Sequence, residues 1–187
     1  MTIRRIFVAI DISEDVRRAI NEHVSRMRLA FADVPVKWER AEKFHLTMKF
    51  FGDTDERKLE RINDLAASAA ESTAPFKLTV SGSGSFRRRD NAVLWIGVEE
   101  SSGQVGKLAQ IAKILEANSP ESRKFHPHIT IARIKNPARA RELIDSHGSA
   151  PIQSREFFVD HLTIYESKLL PTGSLYSVVS KHRFGSE

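Results

Sequence analysis

Cysteine is absent from the 187 residues of this chain. The absence excludes disulfides, a thiol nucleophile and thiolate metal ligands, and it favours a reducing compartment. No run approaches the ~20 consecutive apolar residues that span a bilayer, and the opening MTIRRIFVAIDISED turns acidic too soon for a secretory signal. From these absences we expect a soluble, cytoplasmic protein that is stabilised by packing and makes no membrane contact.

The remaining composition is that of an ordinary globular domain, with 41% apolar residues. A length of 187 residues favours one domain, spanning residues 1–187, over two independent ones. Basic side chains outnumber acidic ones by 29 to 24, for a net charge of +5, which is compatible with an anionic partner but does not require one. The densest basic cluster, Arg87-Arg88-Arg89, is expected at a loop tip, either as a solvated turn or in contact with phosphate.

The tripeptide His-x-Thr occurs twice, as His45-Leu46-Thr47 and as His128-Ile129-Thr130, each in a segment of alternating apolar and polar residues. An extended strand places residues i and i+2 on one face, so each histidine is expected beside its threonine. Leu46, Met48 and Phe50 would then face the core. Two imidazoles with an ordinary pKa of about 6.5 suit one general acid and one general base, and the hydroxyls suit an oxyanion. The repeated motif therefore predicts a two-histidine site.

Strand and helix patterns precede both copies of the motif. Strand, helix and His-x-Thr strand thus occur twice, which indicates an internal duplication. Two similar halves would form a bilobal single domain, with the His-Thr pairs facing one another across a shared cleft. The predicted elements are a strand (3–12), a helix (14–32), the first motif strand (45–51), a helix after it, two strands (76–80 and 92–98) joined by the SGSGSFRRRDN connection, a helix (102–118), the second motif strand (125–134), a helix (137–147) and further strands.

Five ordered segments resemble the 2H phosphoesterase superfamily, specifically its LigT-like branch of RNA 2',3'-cyclic phosphodiesterases, also known as 2'-5' RNA ligases. They are HLTMKFFGD, HPHITIARI, the opening RIFVAIDI, the central NAVLWIGV and the closing LTIYESKLLPTGSLYSVV. The resemblance implies an α+β fold of two pseudo-symmetric lobes of antiparallel sheet, with helices packed on the outside and the active-site cleft between the lobes. It also implies hydrolysis of 2',3'-cyclic phosphates on RNA ends or nucleotides to 2'-phosphomonoesters, with no metal and no cofactor.

The same resemblance implies roles for five residues. His45 is the expected proton donor to the leaving 3'-oxygen, and His128 is the expected proton acceptor for water. Thr47 and Thr130 are expected to bind the phosphate. Arg133 matches the family's substrate-binding arginine, although strict alternation aims it away from the face of His128. Either the strand bulges or ends before Arg133, or this arginine is structural.

Other patterns leave alternatives open. His126 shares the face of His128, so the main rival is a metal-dependent hydrolase with His126, His128 and His45 as ligands. Lys49 has the parity to join His45, but an exposed strand lysine explains it as well. The chain would also suit an RNA-binding module that grips a terminal phosphate, or a ligase that joins a cyclic phosphate to a 5'-hydroxyl. We expect a monomer.

The remaining histidines and aromatic residues stay outside the predicted site. The histidines expected in surface or packing roles are His23, His147, His161 and His182. The aromatic residues that suit base stacking but are more typical of a core are Phe7, Trp38, Phe44, Trp95 and Tyr165.

Overall fold

The computed structural model describes residues 2–101, 106–117, 125–171 and 173–185. Within these ranges the chain forms four α-helices and nine strands. The helices are α1 (Glu14–Ala30), α2 (Glu56–Glu71), α3 (Lys107–Leu115) and α4 (Arg141–Ser149). The strands are β1 (Arg4–Asp11), β2 (Val36–Trp38), β3 (His45–Thr54), β4 (Phe76–Arg87), β5 (Asn91–Glu100), β6 (His128–Lys135), β7 (Arg155–Val159), β8 (His161–Leu170) and β9 (Gly173–Arg183).

Local sequence explains where the first two helices begin. α1 follows Ser13 and carries Glu14 and Asp15 in its first turn, where the helix dipole favours negative charge. Asp55 caps α2, because its side chain accepts a hydrogen bond from the backbone N–H of Lys58 at 2.8 Å. α1 starts where the sequence predicts it, and α2 follows the first motif strand as predicted.

All nine strands join one antiparallel sheet, in the order β7-β4-β5-β6-β3-β1-β8-β9, with β2 paired to β6. The motif strands β3 and β6 are neighbours at its middle, aligned through the pair Leu46 and Ile129. β1, β8 and β9 lie on one side of this pair, and β5, β4 and β7 lie on the other. Apolar residues from both halves and all four helices form one hydrophobic cluster. The predicted α+β fold of two pseudo-symmetric halves is confirmed.

The SGSGSFRRRDN stretch is strand over most of its length, although the sequence predicted a connection there. β4 continues to Arg87 and β5 begins at Asn91, which leaves only a short turn between them. Small residues are needed because the packing is close: a Cβ on Gly84 would lie 2.4 Å from the ring of Trp95. The tip is basic as predicted, and Arg87 forms an ion pair with Asp145 at 2.7 Å.

Other boundaries differ less from the prediction. α1 ends at Ala30, slightly short of its predicted end. The helix predicted over 102–118 is confirmed from Lys107 to Leu115, and its predicted residues 102–105 and 118 lie outside the described residues. Among the helices that the structure describes, none is long and apolar enough to cross a membrane.

Candidate active site

One residue pair at the middle of the sheet brings the two motifs together. Leu46 is aligned with Ile129 in antiparallel strands, so each motif histidine lies across from the threonine of the other motif. Leu46 and Ile129 are both fully buried. Because side chains alternate along a strand, the flanking histidines and threonines project from the opposite face. The two His-Thr pairs therefore share one face of the sheet.

The two histidine rings are held in the same way. Nδ1 of His45 lies 2.7 Å from the backbone oxygen of Lys43, and Nδ1 of His128 lies 2.6 Å from the backbone oxygen of His126. Because a carbonyl oxygen can only accept, each Nδ1 carries a hydrogen and donates it. In the neutral ring the other nitrogen, Nε2, is then unprotonated. Each motif thus presents Nε2 as its acid-base atom.

His45 packs among aromatic rings. Its ring stacks on Phe7 with centroids 5.0 Å apart, and it meets Tyr176 edge-on at 5.6 Å. Its Nε2 lies 2.9 Å from Oγ1 of Thr47, so the hydroxyl donates to the neutral ring. Burial lowers the pKa of His45, although the hydrogen bond to the carbonyl of Lys43 opposes the shift. Burial therefore destabilises the protonated form of the His45 ring.

His128 lies beside the other half of the sheet, with its ring edge-on to Phe86 at a centroid distance of 4.9 Å. Burial lowers the pKa of His128, and the nearby His126 and Arg133 lower it further, while the hydrogen bond to the His126 carbonyl raises it. His128 in turn lowers the pKa of His45 electrostatically, so the two rings sense each other's charge. The pair favours a state with at most one proton.

A cavity of about 130 Å³ opens on this face. The cavity brings together His45, Thr47, Thr130 and Arg133, whereas His128 is not among its lining residues. The lining consists of Phe7, Glu39, Lys43, His45, Thr47, Phe50, Thr130, Arg133, Ser167 and Tyr176. Four of the five residues predicted for the site thus meet in one cavity.

A β-bulge places Arg133 in the cavity. The pairing of β5 with β6 passes from Thr130 to Ala132 and skips Ile131. Ile131 and Ala132 are both fully buried, so the alternation of faces reverses after them. Arg133 therefore lies on the same face as Thr130. Of the two explanations left open by the sequence, the bulge is the one that the structure contains.

β3 carries the same irregularity at the equivalent position. Its pairing with β1 passes from Thr47 to Lys49 and skips Met48. Phe50 accordingly lines the cavity and is 50% exposed, so its predicted core position is wrong. Lys49 leaves the face of the motif, and its Nζ lies 3.9 Å from a carboxylate oxygen of Glu116. Phe50 is thus the counterpart, in this half, of the arginine in the other.

Sequence reasoning did not single out several residues of the cavity. Oε1 of Glu39 lies 3.5 Å from Nε of Arg133, and Nζ of Lys43 lies 5.7 Å above the ring of Tyr176. These residues come from the segments before β3 and from β9, and the order of the sheet brings them together. Apart from the position of Lys43 just before the first motif, no local pattern marks them.

In the described part of the chain, His45, His126 and His128 do not form a three-histidine metal site. The rings of His126 and His128 have centroids 6.1 Å apart. His126 also contacts the rings of Phe86 and Trp95. Across the described ranges, no group of three or more histidine, aspartate or glutamate residues is arranged to hold a metal ion.

The aromatic candidates divide between the site and the core. Phe7 lines the cavity and stacks on Tyr165 at a centroid distance of 5.2 Å. Phe44 is buried in the core, and Trp38 packs against the core from β2. Trp95 lies over Gly84 rather than in the cavity. Of the five aromatic residues considered from the sequence, Phe7 alone lines the cavity.

An α+β fold whose antiparallel sheet presents two His-Thr pairs and an arginine on one face defines a protein of the two-histidine, or 2H, phosphoesterase class. More particularly, the chain belongs to the 2'-5' RNA ligase superfamily, whose family model matches residues 16–169.

Relatives of similar length support this assignment. The chain is 33% identical over 184 residues to an RNA 2',3'-cyclic phosphodiesterase of Thermotoga maritima, covering 96% of this chain and 95% of that protein. It is 32% identical over 179 residues to an RNA 2',3'-cyclic phosphodiesterase of Methanothermobacter thermautotrophicus, covering 92% and 95%. Among solved structures, the protein TT0787 of Thermus thermophilus is similar in fold, with a TM-score of 0.74, 24% identity and coverage of 98% and 99%.

Proposed function

We propose that this chain is a metal-independent RNA 2',3'-cyclic 3'-phosphodiesterase, an enzyme that hydrolyses cyclic phosphates on RNA ends or nucleotides to 2'-phosphomonoesters. The observation that carries the proposal is the matched pair of His45 and His128, each offering Nε2 on the face that also bears two threonines. Relatives that cover almost the whole chain bear the name of this activity. We infer that residues 1–187 work as a single bilobal domain.

In the proposed reaction, Nε2 of His128 accepts a proton from water while the water oxygen attacks phosphorus in line with the 3'-oxygen. The bond between phosphorus and the 3'-oxygen breaks, and protonated His45 donates its proton to that oxygen. The products are a 2'-phosphomonoester and a 3'-hydroxyl. After the reaction, His128 releases its proton to solvent and His45 takes up a proton from solvent. Acid-base catalysis of this kind contributes ~10²- to 10⁴-fold.

Fixed donors would hold the charge that develops on the nonbridging phosphate oxygens. Thr47 and Thr130 offer hydroxyls on the cavity wall, and Arg133 offers a guanidinium held beside Glu39. Donors that are positioned before the reaction stabilise developing charge without reorganising during it. Arg133 supplies a fixed positive charge on the cavity wall, so the proposed reaction uses no metal and no cofactor.

Ligation is the second candidate function, favoured by the description of the matching family. In ligation the 5'-hydroxyl of a second RNA end takes the place of water, and in the reverse reaction the 3'-hydroxyl attacks while the two histidines exchange roles. Both rings donate a hydrogen bond from Nδ1 to a backbone oxygen and present Nε2 to the site, so such an exchange of roles is chemically feasible. Hydrolysis is favoured overall, because water is abundant and a second RNA end must be positioned.

We further infer that the enzyme is a cytoplasmic monomer. Both motif strands come from one chain, so a second copy is not needed to bring the histidines together. A sequence without cysteine suits a reducing compartment.

The test is incubation of the purified, chelator-treated protein with nucleoside 2',3'-cyclic phosphates, followed by chromatographic separation of the 2'- and 3'-monophosphates. We expect the 2'-monophosphate to form and the rate to be unchanged by the chelator. His128→Ala, purified in parallel, controls for contaminating phosphodiesterases. Formation of the 3'-monophosphate, loss of activity with the chelator or absence of turnover would each overturn the proposal.

A further inference from the structure

The two halves of the site differ at one charged position. Asp11 on β1 is aligned with His45 on β3. The equivalent residue on β5 is Gly97, which is aligned with His128 on β6. Directly opposed residues of antiparallel strands project to the same face, with Cβ atoms about 4.5–5.5 Å apart. His45 therefore has a carboxylate as its cross-strand neighbour, and His128 has no side chain there.

Four donors hold the carboxylate of Asp11 on this face. Tyr165 donates its hydroxyl to Oδ1 at 2.6 Å, and Thr163 donates to Oδ2 at 2.9 Å. Nε2 of His161 and Nζ of Lys181 lie 3.1 and 3.3 Å from Oδ2. Burial raises the pKa of Asp11, but the hydrogen bonds from His161 and the other donors outweigh it and hold the pKa well below its usual range. Asp11 is therefore an anion wherever the histidines titrate.

The charges that act on His45 include a negative one. Besides burial, the charge of Asp11 acts to raise the pKa of His45, whereas Arg17 and His128 act to lower it. In the described part of the chain, the side-chain charges that act on His128 are all positive. The titratable or charged residues facing His45 or Asp11 are Arg17, Glu39, Lys43, His128, His161, Tyr165, Tyr176 and Lys181.

We propose that Asp11 is a positioning residue that sets the direction of proton transfer, keeping the proton on His45 and leaving His128 as the base for water. The inference rests on the proposed function. The two rings are held in the same way through Nδ1, and the fixed negative charge beside His45 distinguishes the two directions of proton transfer. The network that binds Asp11 then serves to keep this charge ionised and in place.

The test is Asp11→Asn, which keeps the size of the side chain and removes its charge. The pH profile of kcat/KM for a nucleoside 2',3'-cyclic phosphate is recorded together with the ¹⁵N NMR titration of both active-site histidines. We expect the alkaline limb to move to lower pH, with about a tenfold loss on that limb, short of the ~100-fold or larger loss of a missing acid. The acid limb and the titration of His128 should stay in place, while His45 titrates at lower pH.

Asp160→Asn is the matched control. Asp160 binds the same ring, with Oδ1 2.5 Å from Nδ1 of His161, and its side chain is 49% exposed. This variant should leave both limbs unchanged. Lys181→Met provides a second test from an exposed position, in case Asp11→Asn does not fold. Loss of the cation beside Asp11 should move the alkaline limb and the His45 titration to higher pH.

The outcomes separate this inference from the proposed function. A folded Asp11→Asn protein with the wild-type alkaline limb and the wild-type His45 titration overturns the role of Asp11 and leaves the phosphodiesterase intact. Equal shifts in Asp160→Asn also overturn that role. A wild-type protein that does not turn over cyclic phosphates overturns the function instead, and the NMR titrations still decide whether Asp11 favours the protonated form of His45.

Discussion

His23 of α1 and His147 of α4 are hydrogen-bonded to each other in the core, with Nε2 of His23 lying 3.0 Å from Nδ1 of His147. Both side chains are fully buried. Nε2 of His147 donates to the backbone oxygens of Gly84 and Trp95 at 3.2 and 3.1 Å, so its Nδ1 is the acceptor for His23. Within the described residues, Nδ1 of His23 is buried without a partner. The pair is therefore neutral, and a further proton on Nδ1 of His23 would have no acceptor among the described residues.

We expect the protein to lose stability as the pH falls from 6.5 to about 4. Burial lowers the pKa of His23 from 6.5 to about 4, and the charge of His147 acts in the same direction. Between these values the unfolded chain binds a proton that the folded chain does not, so the free energy of unfolding falls with the pH. One pKa unit is worth about 1.4 kcal/mol, which makes the loss on the order of 3 kcal/mol.

Urea unfolding at neutral and mildly acidic pH measures this dependence. His23→Gln should be less stable at neutral pH but should lose less stability on acidification, because the residue that gains the proton is gone. His126→Gln, at an exposed histidine, should keep the wild-type dependence. The same acid dependence in His23→Gln as in the wild type would contradict the assignment.

The two motif histidines should each be required for turnover. We expect His45→Ala and His128→Ala to lower kcat for a nucleoside 2',3'-cyclic phosphate by about 100-fold or more, because each removes one proton-transfer group. Circular dichroism should show the wild-type fold. His126→Ala, next to the second motif, is the matched control and should retain turnover. Near wild-type turnover by either motif variant would sink the two-histidine mechanism.

Arg133→Gln should weaken the interaction of the enzyme with the substrate phosphate. A hydrogen bond to a charged group is worth about 1.5–3 kcal/mol, so kcat/KM should fall about 10- to 100-fold. Arg141→Gln is the control, because Arg141 is 84% exposed and its guanidinium lies 3.9 Å from a carboxylate oxygen of Asp145, outside the cavity lining. If both variants keep wild-type kcat/KM, Arg133 has no part in substrate binding.

The activity should be greatest on the acidic side of pH 6.5. Burial lowers the pKa of both His128 and His45 from the ordinary value of 6.5. The value of kcat/KM rises as the base His128 loses its proton and falls as the acid His45 loses its proton. Both limbs of the pH profile are therefore centred below pH 6.5. The apparent values belong to the coupled pair. A profile of kcat/KM against pH measures them, and an ascending limb centred above pH 6.5 is the contrary result.

Gly97→Ala should destabilise the second half of the sheet. A Cβ at this position would lie 2.5 Å from the backbone oxygen of Ser81. Such crowding costs about 1–3 kcal/mol when neighbouring backbone must move. Gly148→Ala in α4 is the control: a Cβ there meets nothing within 4 Å, and removing a helical glycine stabilises by up to about 1 kcal/mol. Thermal unfolding compares the two, and equal stability of both variants would refute the crowding.

Patterns within single segments were sufficient to predict the elements and the shared face of each His-Thr pair. The two-residue period of a strand is a local property, so His45 and Thr47 project together whatever lies beside them. The same period failed beyond Thr47, where it placed Phe50 in the core and Lys49 on the face of the motif. A bulge depends on the partner strand, and the sequence of one strand does not contain its register with another.

The sequence by itself determined the class of this protein: the element order, the two His-x-Thr strands and the four motif residues, whose catalytic roles stay predictions. Only the tertiary structure decided that Arg133 enters the cavity, that Asp11 lies across from His45, and that a histidine pair is buried in the core. These relationships join residues on different strands and helices. They depend on sheet order and register, which follow from packing the whole chain rather than from the spacing of residues along it.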